Sequence, residues 1–292
     1  MSYLRRWLPI FGFSCATMAG AEELKVSSGQ SIQYRTWVAP SGSPTVHLVA
    51  FDPDRYTLRV IDNGTSAERP NFASLAEAMT RNRCIAGTNG GFFVPEHFKP
   101  TGLMVAGGRI VSAFDPDGWQ EGVLCVDKTG IALIGRGDFA RRSGVTEALQ
   151  SSPWLIRAGK MNAMLEGDLR RARRAFVAIS REGECALGFS TPATFHELAD
   201  LLVQQSAEGF FVAEALALDG ATSAGFWSDI EGAQVNEPTL VTVRNFVGIV
   251  SRDSPHASQD IRKLLSAVLL LAIGTIFVGA LWVLRRRLRR SG

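Results

Sequence analysis

The sequence predicts an α+β domain of mixed or mainly antiparallel sheets with a few helices, a single exported body followed by one C-terminal transmembrane helix. Three observations carry this. Short β-branched and aromatic runs recur between residues 31 and 250, separated by Gly, Pro and Asp turns. Few stretches have helical spacing, and they do not alternate with strands as a βαβ series would. Both ends hold apolar runs flanked by arginines.

Taken in order, Arg5 and Arg6 precede the apolar run 7–18, which stops at Ala19-Gly20-Ala21 before Glu22-Glu23. Small residues three and one before an acidic start read as a secretory signal over 1–21. Strands follow at 31–38, 46–51 and 56–61. A helix over 72–82 places Leu75, Ala76 and Met79 on one face, capped by Asn71 or Ser74. Further strands fall at 103–105, 109–111, 122–126 and 131–134, with hairpin turns at Gly107-Gly108 and Lys128-Thr129-Gly130.

A short helix is expected at 145–150, a hairpin at 175–180 and 185–189, and a helix at 195–206 N-capped by Thr194. Residues 210–218 read as helix passing into strand, and the final strands as 240–243 and 246–250. The exported body is thus 22–252, with a polar stalk at 253–263. Residues 264–284 carry no charge. As a helix they would reach about 31 Å, enough for a hydrocarbon core of about 30 Å. The tail 285–292 holds five arginines, and the positive-inside rule places it in the cytoplasm, with the body periplasmic or extracellular and the lipid bilayer as a partner.

The formal net charge is +3, from 31 basic and 28 acidic residues. Seven arginines lie at the two ends, beside no acid. Removing those seven from 31 leaves 24 basic against 28 acidic residues, a body of net −4. A bulk field of that sign argues against nucleic acid as a partner. Cys84, Cys125 and Cys185 follow the signal, an odd number, so one disulfide with a thiol left over and three buried thiols both remain open. His47, His97, His196 and His256 have no metal-ligand spacing, and no CxxC, nucleophile elbow, P-loop or dinucleotide fingerprint is present, so neither metal nor cofactor is expected. Arg136-Gly137-Asp138 and Asn63-Gly64-Thr65 match short adhesion and glycosylation patterns of low specificity.

Three constellations bear on chemistry. Gly87-Thr88-Asn89-Gly90-Gly91-Phe92-Phe93 ends an apolar strand: paired glycines let backbone amides approach a ligand, although the same residues also make a tight turn filled by two aromatics. Leu218-Asp219-Gly220-Ala221-Thr222-Ser223 sets an acid at the end of a hydrophobic strand. Partial desolvation there raises a carboxyl towards a catalytic range, and an Asx turn is the alternative. Arg157 ends one apolar run and Arg174 precedes another, so both are placed to point guanidinium groups into a cleft, whereas Arg170, Arg171 and Arg173 read as solvated surface.

In this order and spacing the motifs resemble the phosphodiester glycosidase family over about residues 45–250. The segments carrying the likeness are 87–93, 102–111, Leu155-Ile156-Arg157-Ala158-Gly159-Lys160, 174–178, Leu218-Asp219-Gly220 and 244–248. Ala158 stands where the family has an acid, and Ala221-Thr222 where it has glycines. The resemblance implies hydrolysis of a sugar-1-phosphodiester in envelope or exopolysaccharide material. Asp219 is then the catalytic carboxylate, Arg157 and Arg174 hold the phosphate, Asn89 with the Gly90 and Gly91 amides positions sugar or phosphate, and Ser223 assists by hydrogen bonding. The competing expectation is a membrane-tethered, non-catalytic binder of envelope glycan, which would leave Asp219 far from both arginines.

Overall fold

The computed structural model describes residues 31–204 and 209–253. The signal, transmembrane and tail assignments lie outside these residues. Among the described residues, no helix is long and apolar enough to cross a membrane.

A seven-stranded sheet runs in the order Ile32–Val38, Thr45–Phe51, Cys185–Ala193, Ala172–Ser180, Val212–Ala217, Trp154–Arg157, Lys160–Met161. Every pairing between its strands is antiparallel. Strand alternation divides its residues cleanly. Leu48, Ala50, Phe176 and Ala178 turn to one face, where the helix Phe195–Gln204 covers them with Leu198, Leu201 and Leu202. That helix opens with a reciprocal cap: the Thr194 hydroxyl accepts from the Glu197 N–H at 3.0 Å, and the Glu197 carboxylate accepts from the Thr194 N–H at 2.8 Å.

Val49, Phe51, Val177 and Leu187 turn the other way, into the main core. Two five-stranded antiparallel sheets close that core. One runs Gly130–Gly135, Gly122–Asp127, Glu147–Ser151, Met104–Ala106, Arg109–Ser112, and contributes Leu124, Val126 and Leu149. The other runs Ala233–Glu237, Phe226–Ile230, Ala86–Asn89, Asn245–Ser251, Tyr56–Asp62, and contributes Leu58, Val60, Phe226 and Ile249. Outside the second of these packs the helix Leu75–Arg81, capped by Ser74, burying Leu75, Ala78 and Met79 against Ile61 and Phe246. The fold is therefore sheet-rich and antiparallel with few helices.

Local readings fail at several places. Residues 147–151 form a strand, not a helix, because Ala148 and Leu149 sit between two strands that use their backbone groups and bury their side chains. Val212–Ala217 is strand alone. Residues 240–243 form no strand: the Leu240 N–H turns back to the Thr222 carbonyl at 2.8 Å, and Leu240 and Val241 face solvent. The hairpin partner strands Phe226–Ile230 and Ala233–Glu237 were not expected. The three cysteines are free and buried, and burial pushes their thiols up to about 12, 11 and 12 for Cys84, Cys125 and Cys185.

Candidate active site

The strand Val212–Ala217 lies inside the seven-stranded sheet, and the chain leaves its end through Leu218 to Asp219. There the seven-stranded sheet and the five-stranded sheet that holds Ala86–Asn89 are clipped together. The Asp219 N–H donates to the Gly90 carbonyl at 3.1 Å, and the Asn89 side-chain amide donates to the Asp219 carbonyl at 2.7 Å. The Asn89 Oδ1 in turn accepts from the Gly225 N–H at 3.2 Å and the Thr88 hydroxyl at 3.1 Å. Asn89 thus fixes the Asp219 turn from behind.

The glycine amides expected to face substrate have another use. The Gly90 N–H donates to the Asn245 carbonyl at 2.9 Å, and the Gly91 N–H donates to Asn245 Oδ1 at 2.7 Å. Glycine is needed at 90 because an added Cβ would stand 1.9 Å from Asn245 Oδ1. Asn245 therefore completes the loop, and its neighbourhood in space is invisible in a linear reading: 154 positions separate it from Gly91.

The Asp219 carboxyl accepts from the Gly220 N–H at 2.9 Å and from the Ser223 hydroxyl, which brings Ser223 to the same group. Burial raises its pKa to about 6 against the pull of these two donors. It opens onto a cleft of about 250 Å³ that is also lined by Arg170, Arg174, Phe195, Phe92, Trp119 and Ser152.

Arg174 is only 7% exposed. Its Nε donates to the Ala193 carbonyl at 3.0 Å, and its Nη2 donates to the Arg170 carbonyl at 2.6 Å and to Asp168 Oδ2 at 2.9 Å. The guanidinium carbon sits 3.6 Å from the centre of the Phe195 ring. Burial pulls its pKa down and Asp168 opposes this; an arginine remains charged throughout the physiological range. The remaining nitrogen, Nη1, faces the Asp219 turn, 3.8 Å from where a Cβ on Gly220 would lie.

Arg157 does not line this cleft. It is exposed at the end of Trp154–Arg157, its guanidinium 5.0 Å from the Trp154 ring centre and packed beside Gly135. Arg170 takes the second cationic place instead. The sequence reads Arg170, with Arg171 and Arg173, as solvated surface. What singles out Arg170 is the Asp168–Arg174 ion pair, which folds this segment over the sheet end and has no local spacing to announce it. A larger hollow of about 400 Å³, between the helix Leu75–Arg81 and residues 236–243, has no titratable side chain in its lining and offers no acid–base chemistry. Among the described residues, no three His, Cys, Asp or Glu side chains gather as a metal-binding set.

A single cleft holding a desolvated carboxyl and two arginines, built on an Asn-Gly-Gly loop and an Asp-Gly turn, agrees with what comparison of the sequence with family models finds. Residues 82–250 match the model described as phosphodiester glycosidase. The chain belongs to the phosphodiester glycosidase family. A search of curated proteins found no match. Among solved structures, the fold is similar to the catalytic domain of zebrafish N-acetylglucosamine-1-phosphodiester alpha-N-acetylglucosaminidase auto-inhibited by pro-peptide. That likeness has a TM-score of 0.57 at 16% identity, covering 78% of this chain and 86% of that one. It is also similar to a hypothetical protein from Synechocystis, with a TM-score of 0.52 at 19% identity over 76% of this chain and 62% of that one. Identities this low establish a shared fold.

Proposed function

We propose that this phosphodiester glycosidase family member is an exported, membrane-anchored hydrolase that cleaves the glycosidic bond of a sugar-1-phosphodiester in envelope or exopolysaccharide material. The observation that carries the reading is the convergence of the Asp219 carboxyl with Arg174 and Arg170 on one cleft. The expectations for the two chain ends, signal and anchor, supply the location.

The chemistry follows from the bond. A phosphate monoester leaving group has a second pKa of about 6, so it departs from C1 with the bonding electron pair and without the protonation that an alcohol requires. Two carboxylates are the common arrangement for glycosidases; here one suffices. Asp219 faces the developing positive charge at C1 and takes the proton of the attacking water, and its pKa of about 6 leaves it ionised at neutral pH yet basic enough to accept that proton. Arg174, held rigid by Ala193, Arg170 and Asp168, and Arg170 beside it, balance the phosphate charge. Asn89, Gly90, Gly91 and Ser223 act by fixing Asp219. Arg157 has no part in the cleft as built. A non-catalytic binder of envelope glycan would leave Asp219 far from both arginines; Arg174 lines the same cleft as Asp219 and Arg157 does not, and the pairing with Arg174 favours the hydrolase.

The test is incubation of the purified full-length protein with a panel of sugar-1-phosphodiesters, assaying free sugar. Wild type is expected to release sugar from at least one member, and Asp219→Asn to lose about 1,000-fold or more of that rate while remaining folded. No release by the wild type from any member, or full activity in the variant, contradicts the reading.

A further inference from the structure

Trp119 is a large aromatic with no packing duty that explains it. It is 59% exposed and lines the same cleft as Asp219, its ring in a T-shaped contact with Phe92 at 4.8 Å between centres and 74°. A tryptophan left in water forgoes the apolar burial that usually places it inside a fold.

The chain on either side of it is firmly held. The Gly118 carbonyl accepts from the Arg136 guanidinium, and the Gln120 side chain, 1% exposed, donates to the Thr101 carbonyl at 2.9 Å and the Gln150 carbonyl at 3.1 Å. Gln150 returns the contact, donating to the Gln120 carbonyl at 3.2 Å and the Asp115 carbonyl at 2.7 Å. Phe92, the ring behind Trp119, is fixed through its own carbonyl, which accepts from the Thr101 N–H at 2.9 Å. An exposed indole on so rigid a support is preorganised, and a ligand stacking on it loses little to ordering of the protein.

We infer that Trp119, backed by Phe92, is the platform on which the sugar ring of the substrate stacks, so that the cleft selects a pyranose presenting a continuous C–H face. The negative face of the indole attracts the weakly positive C–H groups of such a ring and replaces water over a wide apolar area. The phosphate lies towards Arg170 and Arg174, and C1 between the two halves, at Asp219. A furanose or an open-chain polyol has no flat C–H face of matching size and gains less. This rests on the proposed reading for the phosphate half of the ligand, whereas the stacking half is separable from turnover.

The experiment is calorimetric titration of full-length wild type, Trp119→Phe and Trp119→Ala with a hexopyranose-1-phosphate and with ribofuranose-1-phosphate, beside turnover of the matching methyl phosphodiesters. The exposed position makes either substitution compatible with folding, which the unchanged melting temperature checks. The inference predicts that wild type binds the pyranose phosphate more tightly, that Trp119→Ala weakens it about tenfold or more with kcat within about threefold, and that Trp119→Phe restores most of the affinity. The furanose phosphate should change little. Equal affinity of wild type and Trp119→Ala, equal loss for both sugars, or no binding of either sugar phosphate overturns it. Tryptophan-dependent binding without any diester turnover leaves the platform standing and removes the hydrolase reading; turnover whose KM as well as kcat is unchanged in Trp119→Ala does the reverse.

Discussion

Asp219 and Ala221 sit two residues apart and under opposite constraints. Asp219 must stay partly desolvated to keep its pKa near 6, and its backbone is fixed on both sides by Asn89 and Gly90. Ala221 makes the turn that follows with φ of 55°, and its N–H donates to the Arg173 carbonyl at 2.8 Å. A left-handed conformation costs an L-residue about 1–2 kcal/mol, while glycine gives back about 0.5–1 kcal/mol through unfolded-state entropy. Replacing Ala221 by Gly, the residue the family pattern carries there, is therefore expected to raise the unfolding free energy by about 0.5–1 kcal/mol with turnover unchanged or higher. Denaturant unfolding beside the sugar-release assay checks this, and a loss of stability would show that the turn is not strained. Ala158, at φ of 51° beside exposed Arg157, repeats the backbone feature away from the cleft.

The elements that matter most are two strand ends. Val212–Ala217 delivers Asp219, and Ala86–Asn89 delivers the loop that braces it. Gly90→Ala forces a Cβ into Asn245 Oδ1, so the brace has to open. The expected outcome is a destabilisation of about 2–4 kcal/mol and a fall in kcat with KM nearly unchanged, since Asp219 shifts while the arginines stay; melting curves and steady-state kinetics measure both. The Asp-Gly turn and the Asn-Gly-Gly loop were legible in sequence because each closes an apolar strand with residues that suit a tight turn. The strand at Glu147–Ser151 was not, since Glu-Ala-Leu-Gln is ordinary helix sequence until two flanking strands claim its backbone. Asn245 and Arg170 escaped for a related reason: the contacts that define them join residues distant in the chain or depend on how a segment folds back.

Among the described residues of the whole molecule, two largely desolvated carboxyls are shifted up. Glu147 reaches about 7, because burial outweighs the bonds its carboxylate accepts from the Val60 N–H at 3.0 Å and the Gly107 N–H at 3.2 Å. It ties the strand Tyr56–Asp62 to the Gly107-Gly108 hairpin turn, far in sequence from Asp219. Between the unfolded value of 4.5 and the folded value of about 7 the folded chain holds more protons than the unfolded chain, so this group's contribution to stability declines as pH rises through that window. Burial lowers the pKa of His47 and opposes the trend below about pH 6.5, so the variant is compared with wild type at each pH. Relative to wild type, Glu147→Gln should gain up to about 3 kcal/mol between pH 4.5 and pH 8. Urea unfolding at both ends of the window reads the difference, and a pH-independent difference contradicts the assignment. At this scale the arginines of the two chain ends mask an acidic body, so the proposed phosphate recognition would rest on the local pair Arg170 and Arg174 rather than on a bulk field.

The pH dependence of kcat/KM on a cleaved sugar-1-phosphodiester tests most directly whether the ionised Asp219 carboxyl performs the reaction. The rate is expected to climb with pH through a single ionisation near 6 and then level off, with that limb absent from the residual activity of Asp219→Asn. A limb that persists unchanged in the variant would contradict it.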